Sequence, residues 1–367
     1  SMTHMLHAVE LARQVLGTTS PNPAVGAVVV KDGVEVGRGD TQPPGQAHAE
    51  IGALAQAGVL AKGATLYVTL EPCCNWGRTP PCTSAIIDAG IVKVYAAAID
   101  PNPAVAGKGL AELEVAGLQT FLDEGVDGVK ELYEAFSKHI NTGLPYVTAK
   151  FAMSLDGKIA THTGDSKWVT GPAARRLVQQ MRRETDGILV GVGTVIADDP
   201  LLTARDSVGA PLEAQPLRVV LDSSCRTPPT SQMFRQPGTT VVYTKKDAPR
   251  ARVRRLEAAG AQIVRLAPDK AGQVNLPGVL ANLGSRGVVS LIVEGGGTVL
   301  GSFFDRGLVD KVLAFVSPVI VGGSGADSPV EGLGVSTMGG AWRVEEAAAK
   351  RIGEDWLITG YPRRQEQ

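Results

Sequence analysis

Along this chain, short β-branched runs alternate with segments of helical periodicity. Strands and helices in alternation can bury their apolar faces only by stacking in layers. Val25 to Val30 is one such run. Asp32-Gly33 follows, then Val34 and Val36, which is the signal of a tight hairpin. Before it, Leu6, Val9, Ala12 and Leu16 recur at helical spacing. Further strands are predicted over 65–70 and 91–98, with helices over 47–57, 83–89, 110–116 and 128–140. The alternation stops at Asn141-Thr142-Gly143-Leu144-Pro145, where a helix-stopping Gly and a Pro fall together. It restarts with a strand over 146–152. Strands are then predicted over 187–192, 217–221, 240–243, 261–266, 288–293 and 311–321, with helices over 172–183, 249–259 and 299–305. The 367 residues read as two α/β domains, 1–143 and 146–367.

Charge narrows the range of partners. Lys and Arg number 36 against 37 Asp and Glu, a formal net charge of −1. Proteins that follow a polynucleotide backbone carry a basic surplus, so the expected partner is a small molecule and not a nucleic acid. There is no run of ~18 apolar residues, so no membrane segment is expected. Of the four cysteines, Cys73, Cys74 and Cys82 crowd together and Cys225 stands far away. That is not the spacing of a disulfide framework, and it points to a reduced, cytoplasmic protein with a metal or thiol site.

His48-Ala49-Glu50 lies upstream of Pro72-Cys73-Cys74 and Pro81-Cys82. Catalytic zinc takes three protein ligands and keeps a position for water. His48, Cys73 and Cys82 could supply one nitrogen and two thiolates, and Glu50 could shuttle protons. Residues two apart in a helix diverge by about 200°. His48 should therefore sit where a helix starts, and Cys73 and Cys82 at a strand-to-helix junction. The order follows the H-x-E…P-C-x-x-C pattern of zinc deaminases, except that eight residues separate the two cysteines. Each residue also has a plainer reading: a polar histidine, buried thiols, or a structural zinc site closed by Cys74.

The second half lacks a dinucleotide fingerprint. Gly191-Val192-Gly193-Thr194 comes near it, but Ile196 stands where a third small residue belongs. Val293-Glu294-Gly295-Gly296-Gly297-Thr298 ends a strand and opens a helix, so its amides could cradle a pyrophosphate, or it could be a Gly-rich turn. Arg182, Arg183 and Arg205 could bind an anion or lie on solvated faces. Trp168 could stack on a planar ring or simply pack.

Taken together these residues resemble the bifunctional riboflavin biosynthesis deaminase–reductases over nearly the whole chain. In the first half the resemblance rests on Asn22-Pro23, Val25 to Val30, His48-Ala49-Glu50, Leu70-Glu71-Pro72-Cys73, Gly77-Arg78-Thr79-Pro80-Pro81-Cys82 and Asp100-Pro101-Asn102-Pro103. In the second it rests on Ser154-Leu155-Asp156-Gly157-Lys158, Ser166-Lys167-Trp168, Ala197-Asp198-Asp199-Pro200 and Glu294-Gly295-Gly296. The long spacing between the cysteines is a mark of that family.

The resemblance implies a three-layer cytidine-deaminase-like α/β domain followed by a dihydrofolate-reductase-like one. It implies hydrolytic deamination of 2,5-diamino-6-(5-phosphoribosylamino)pyrimidin-4(3H)-one, then NADPH-dependent reduction of the ribosyl to a ribityl chain. His48, Cys73 and Cys82 would hold Zn²⁺ and Glu50 would be catalytic. Ala152, Trp168, Thr194, Asp198, Ser223, Gly296, Gly297 and Thr298 would meet NADPH. Asn22, Ser166, Arg182, Leu202, Arg205 and Glu294 would meet substrate, and copies would pair through the reductase domain. Thr41 and Asn75 stand where the family often has histidine. The alternative expectation is therefore a reductase with a weakened deaminase half.

Overall fold

The structure, a computed structural model, describes residues 1–166 and 169–364. The chain divides into two compact units, Ser1–Leu144 and Pro145–Gln367. Among the described residues no helix is long and apolar enough to cross a membrane.

The first unit runs α1 (Met2–Gln14), β1 (Gly26–Lys31), β2 (Val34–Asp40), α2 (Ala49–Ala57), β3 (Thr65–Val68), α3 (Cys82–Asp88), β4 (Lys93–Ala96), α4 (Lys108–Val115), β5 (Gln119–Leu122) and α5 (Val129–Thr142). Its sheet has the order β2-β1-β3-β4-β5. β1 is antiparallel to both neighbours, and β3, β4 and β5 are parallel. Asp32 and Gly33 both have positive φ, 50° and 77°, which closes the β1–β2 hairpin with the twist the strands require. Ala27 pairs with Gly39 and Val29 with Gly37, so these four share one face. That face meets α2: a Cβ on Gly39 would lie 2.3 Å from the Ala49 carbonyl oxygen. The opposite face meets α1, where a Cβ on Gly26 would lie 1.8 Å from the Ala8 carbonyl oxygen. α5 packs with α1, and α3 joins α2 and α4, completing three layers. Strand β5 is absent from the sequence reading. It is a partly exposed edge of four residues with little apolar alternation.

The second unit contains β6 (Tyr146–Ser154), α6 (Pro172–Glu184), β7 (Gly187–Gly191), α7 (Val192–Asp198), β8 (Leu217–Leu221), β9 (Thr240–Lys245), α8 (Arg250–Ala258), β10 (Gln262–Leu266), α9 (Leu276–Ser285), β11 (Ser290–Gly295), α10 (Gly297–Asp305), β12 (Lys311–Ser317), β13 (Trp342–Ile352) and β14 (Asp355–Arg364). Among the described residues the sheet order is β10-β9-β8-β7-β11-β6-β12-β14-β13. Strands β10 to β12 are parallel, and β14 and β13 add on antiparallel. β7 is buried at every residue, which is why it reads as a continuous apolar run. After β6 the chain steps outward through β7, β8, β9 and β10. It then returns to insert β11 between β7 and β6. That reversal opens a crevice at the carboxyl ends of these strands, the place where open α/β sheets bind ligands.

Gly39→Val should destabilise the protein by about 3 kcal/mol, because the added atoms meet α2 backbone. Gly33→Ala should lose only about 1 kcal/mol, since nothing lies within 4 Å and only its φ is unfavourable. Urea unfolding of both variants checks this, and equal losses would contradict the layer packing described.

Candidate active sites

In the first unit three separate elements deliver ligand atoms to one point. His48 is the N-cap of α2, with extended backbone at φ −73° and ψ 162°. Its ring therefore leaves the helix line while Glu50 occupies the first turn. Cys82 opens α3, and Cys73 lies in the segment after β3. His48 Nδ1 is 3.3 Å from Cys82 Sγ and 3.6 Å from Cys73 Sγ. The three ligand atoms all lie within 4.8 Å of one another. Tetrahedral zinc, from its usual bond lengths, places nitrogen and sulfur about 3.6 Å apart. The donor set and its spacing fit that ion. Cys74 is outside the cluster, with its Sγ 3.8 Å from Asn75 Oδ1.

The electrostatics favour a thiolate here. The Cys82 backbone N–H, at the start of α3, donates to Cys73 Sγ at 3.3 Å. Hydrogen bonding from Cys82 pulls the Cys73 thiol down to about 4 against its burial, with the His48 ring adding to the effect. The Cys82 thiol is pushed up by the same bond and by burial. Glu50 is buried, and loss of water pushes its carboxyl up to about 7.

Glu71 braces this arrangement, and the sequence reading gave it no role. Its carboxylate accepts the backbone N–H groups of Asp100 at 3.1 Å, Gly107 at 3.0 Å and Leu110 at 3.0 Å. It thereby ties the segment that carries Cys73 to the start of α4. The Glu71-Pro72-Cys73 run contains the signal, an acidic residue directly before a ligand-bearing Pro-Cys.

A cavity of about 430 Å³ opens onto the cluster, and its wall includes Asn22, Gln46, His48, Cys73, Asn75 and Arg78. Thr41 is not on that wall. It is buried, and its hydroxyl accepts from the Val25 backbone N–H at 2.9 Å.

In the second unit a cavity of about 650 Å³ lies at the carboxyl ends of β6, β7 and β11. It gathers Ala152, Ser166, Thr194, Asp198, Glu294, Gly296, Gly297 and Thr298 from the expected set. Gly295 sits at φ +118°, a conformation that excludes side chains. A Cβ on Gly297 would lie 2.5 Å from the Ser328 carbonyl oxygen. Gly297 thus packs against the 328–331 segment, while Gly295 and Gly296 leave bare backbone along the wall where α10 begins, a surface that fits a dinucleotide phosphate. Burial pushes the Asp198 carboxyl up.

The remaining expected residues lie elsewhere. Ser223 follows β8, and its carbonyl accepts from Thr244 Oγ1 at 3.0 Å. Leu202 is buried in the core against residues such as Val190 and Val195. Arg205 donates to Thr203 Oγ1, the Gly209 carbonyl and Gln236 Oε1. Trp168 lies outside the described residues. Arg182 reaches the cavity only through Glu294, gripping its two oxygens at 3.2 and 2.7 Å. Lys150, which the sequence reading passed over, lines the cavity two residues from Ala152 on β6. Its Nζ is 3.9 Å from Glu294 Oε1. Burial opposes ionisation of Glu294, but Arg182 and Lys150 outweigh it and hold the carboxyl at about 2. Burial lowers the Lys150 pKa.

Comparison with known proteins places this geometry. Residues 145–358 match the family model "RibD C-terminal domain". Residues 1–98 match "Cytidine and deoxycytidylate deaminase zinc-binding region". The chain is 43% identical to riboflavin biosynthesis protein RibD of Bacillus amyloliquefaciens, covering 98% of this chain and 96% of that one. It is 42% identical to that of Aquifex aeolicus, covering 97% and 96%. Among solved structures, RibD of Acinetobacter baumannii superposes with a TM-score of 0.84 at 36% identity, covering 99% and 98%. A diaminohydroxyphosphoribosylaminopyrimidine deaminase/5-amino-6-(5-phosphoribosylamino)uracil reductase of Thermotoga maritima does so with a TM-score of 0.84 at 35% identity, covering 99% and 98%.

The Glu294 carboxyl is depressed in the folded chain, to about 2. Its stabilisation is therefore complete above the usual carboxyl value and is lost as pH falls toward the folded one. Glu294→Gln should lose about 3 kcal/mol at neutral pH, because Arg182 and Lys150 are left without a counter-charge. Urea unfolding should show the gap to the parent protein narrowing as pH drops from 5 toward 3. A gap independent of pH would contradict the ionised pairing.

Proposed function

The chain belongs to the RibD family, bifunctional deaminase–reductases of riboflavin biosynthesis, and from that premise we propose how its residues divide the two reactions. The unit 1–143 is the zinc-dependent deaminase and 146–367 the NADPH-dependent reductase. The substrate of the first is 2,5-diamino-6-(5-phosphoribosylamino)pyrimidin-4(3H)-one, and its product is the substrate of the second. The observation that carries the reading is the convergence of His48, Cys73 and Cys82 beside a buried Glu50.

His48, Cys73 and Cys82 hold zinc. When bound, the ion supplies a Lewis acid that makes water a nucleophile at neutral pH. Glu50, with a carboxyl near 7, takes a proton from the attacking water and delivers one to the departing amine nitrogen. Burial keeps bulk water from competing for that proton. Asn22 and Asn75 on the cavity wall offer amide groups that both donate to and accept from a pyrimidine edge.

In the reductase, Gly296, Gly297 and Thr298 would hold the cofactor pyrophosphate, and Ala152, Thr194 and Asp198, which line the same cavity, would meet the rest of the cofactor. Trp168 and Ser223 belong to the same cofactor reading. The cofactor brings the hydride, so the protein's task is orientation. Ser166 and Glu294 face the substrate, with Arg182 and Lys150 keeping Glu294 ionised. Leu202 supports the substrate side through packing. Arg205 binds the substrate phosphate. Its bonds to Thr203, Gly209 and Gln236 hold the guanidinium in place. Pairing of two copies through the reductase unit belongs to this reading.

Glu50→Gln should retain one zinc per chain by elemental analysis and lose at least a hundredfold in deaminase turnover. Unchanged turnover would remove Glu50 from the proton path, and loss of zinc would mean that its role is to build the site.

A further inference from the structure

The run Ser154-Leu155-Asp156-Gly157-Lys158 lies outside both sites, yet almost every polar group in it is used. It forms a tight turn at the carboxyl end of β6. Gly157 takes φ +78°, a conformation that disfavours a side chain. The Gly157 N–H donates to the Ser154 carbonyl at 3.0 Å, and the Ser154 N–H to the Lys158 carbonyl at 2.8 Å. The Lys158 N–H donates to Ser154 Oγ at 2.9 Å, and that hydroxyl donates to Asp156 Oδ1 at 2.6 Å. The turn therefore fixes the direction of the Asp156 carboxylate.

The carboxylate meets the exit of the neighbouring strand. β12 runs parallel to β6, with Ser317 paired to Ser154, so the two chains leave the sheet side by side. Asp156 Oδ1 accepts the Val321 N–H at 3.0 Å, and Oδ2 accepts the Gly322 N–H at 2.7 Å. On either side, the Leu155 N–H donates to the Val319 carbonyl at 2.8 Å and the Ile159 N–H to the Asp327 carbonyl at 2.9 Å. The Ser154 hydroxyl, then the Val321 and Gly322 amides, hold the Asp156 carboxyl at about 2. It is ionised at neutral pH, and hydrogen bonds to an ionised acceptor are the stronger kind.

The clasped chain continues into the reductase cavity. Asp327, Pro329 and Glu331 line it, and the Glu331 N–H donates to the Gly297 carbonyl at 3.0 Å, where α10 begins. Backbone thus runs without a break from the amides that Asp156 holds to the glycine wall. Asp156, Val321 and Gly322 do not themselves line the cavity. The carboxylate acts on a ligand there only through where it sets the 327–331 segment.

We propose that Asp156 is a positioning residue of the reductase, whose carboxylate clasps the chain after β6 to the chain after β12 and so sets the 327–331 wall on the cofactor side of the cavity. The proposal rests on the reading of the second unit as an NADPH-dependent reductase.

The test uses the full chain. Reductase kinetics are measured for the parent, Asp156→Ala, Asp156→Asn and Ser154→Ala, with NADPH and the deaminated pyrimidine varied in turn. Calorimetry gives the Kd for NADPH, urea unfolding checks that each variant is folded, and deaminase turnover is the control within the same chain. Asp156→Ala should raise the KM and the Kd for NADPH about fivefold or more, with kcat within about twofold of the parent. Asp156→Asn keeps one acceptor oxygen and should fall between the two. Ser154→Ala keeps the carboxylate but frees its direction. It should show a smaller rise of the same kind, and it carries the test if Asp156→Ala does not fold. Deaminase turnover should stay at the parent value throughout. A fall in kcat with KM unchanged would move Asp156 into the chemical step. A rise in KM for the pyrimidine alone would put the clasp on the substrate side, and parent-like kinetics in folded variants would leave it only structural. Each of these overturns the proposal. If the parent itself binds no NADPH, the reductase reading fails and the proposal falls with it.

Discussion

The amides at the start of a helix have no partner within the helix, and both sites are built on that deficit. In the first unit the opening amide of α3 turns to Cys73 Sγ, and the Gly107 and Leu110 amides at the start of α4 turn to the Glu71 carboxylate. One interaction favours a thiolate and the other anchors the chain two residues before it. In the second unit Gly295 and Gly296 precede α10 and Gly297 opens it, all three on the cavity wall. Gly295 and Gly296 carry no side chain over that backbone, while the Glu331 side chain packs against Gly297. Alternating strands and helices place such openings at the carboxyl ends of strands, and each unit keeps its chemistry there.

Two buried carboxylates show how neighbours decide what a residue can do. Glu50 has lost its water and faces a thiolate-bearing cluster, so its carboxyl rises to about 7 and suits proton exchange. Glu294 has lost its water too, but Arg182 and Lys150 stand against it and hold it ionised at about 2. Burial acts in the same direction on both, and the sign of the nearby charge separates them. The first can move protons near neutral pH. The second is a fixed negative charge that orients what lies around it.

The sequence makes some of this legible because a few residues have few alternatives. A histidine two residues from a glutamate must sit at a helix start if both are to face one point, and His48 is the N-cap of α2. Asp32-Gly33 announces the hairpin because its turn needs positive φ twice. Other features carry no such mark. Strand β13 is exposed along nearly all its length, so it lacks the apolar alternation of a half-buried strand. Helix α7 has only seven residues and begins in a glycine-rich stretch, too short to show a helical period. Lys150 is the one charged residue in strand β6, and only the fold reveals that its face is the cavity. Arg182 looks free in sequence, and its Glu294 partner is 112 residues away. The distances among Ser223, Arg205 and the main cavity likewise depend on loop paths that no periodicity records.

The most direct test of the two-reaction account is mass analysis of products from the diaminopyrimidine ribosyl phosphate, with and without NADPH. The account predicts a deaminated product in both cases and its ribityl form only when NADPH is present. Reduction without prior deamination, or no deaminated product in the absence of NADPH, would contradict it.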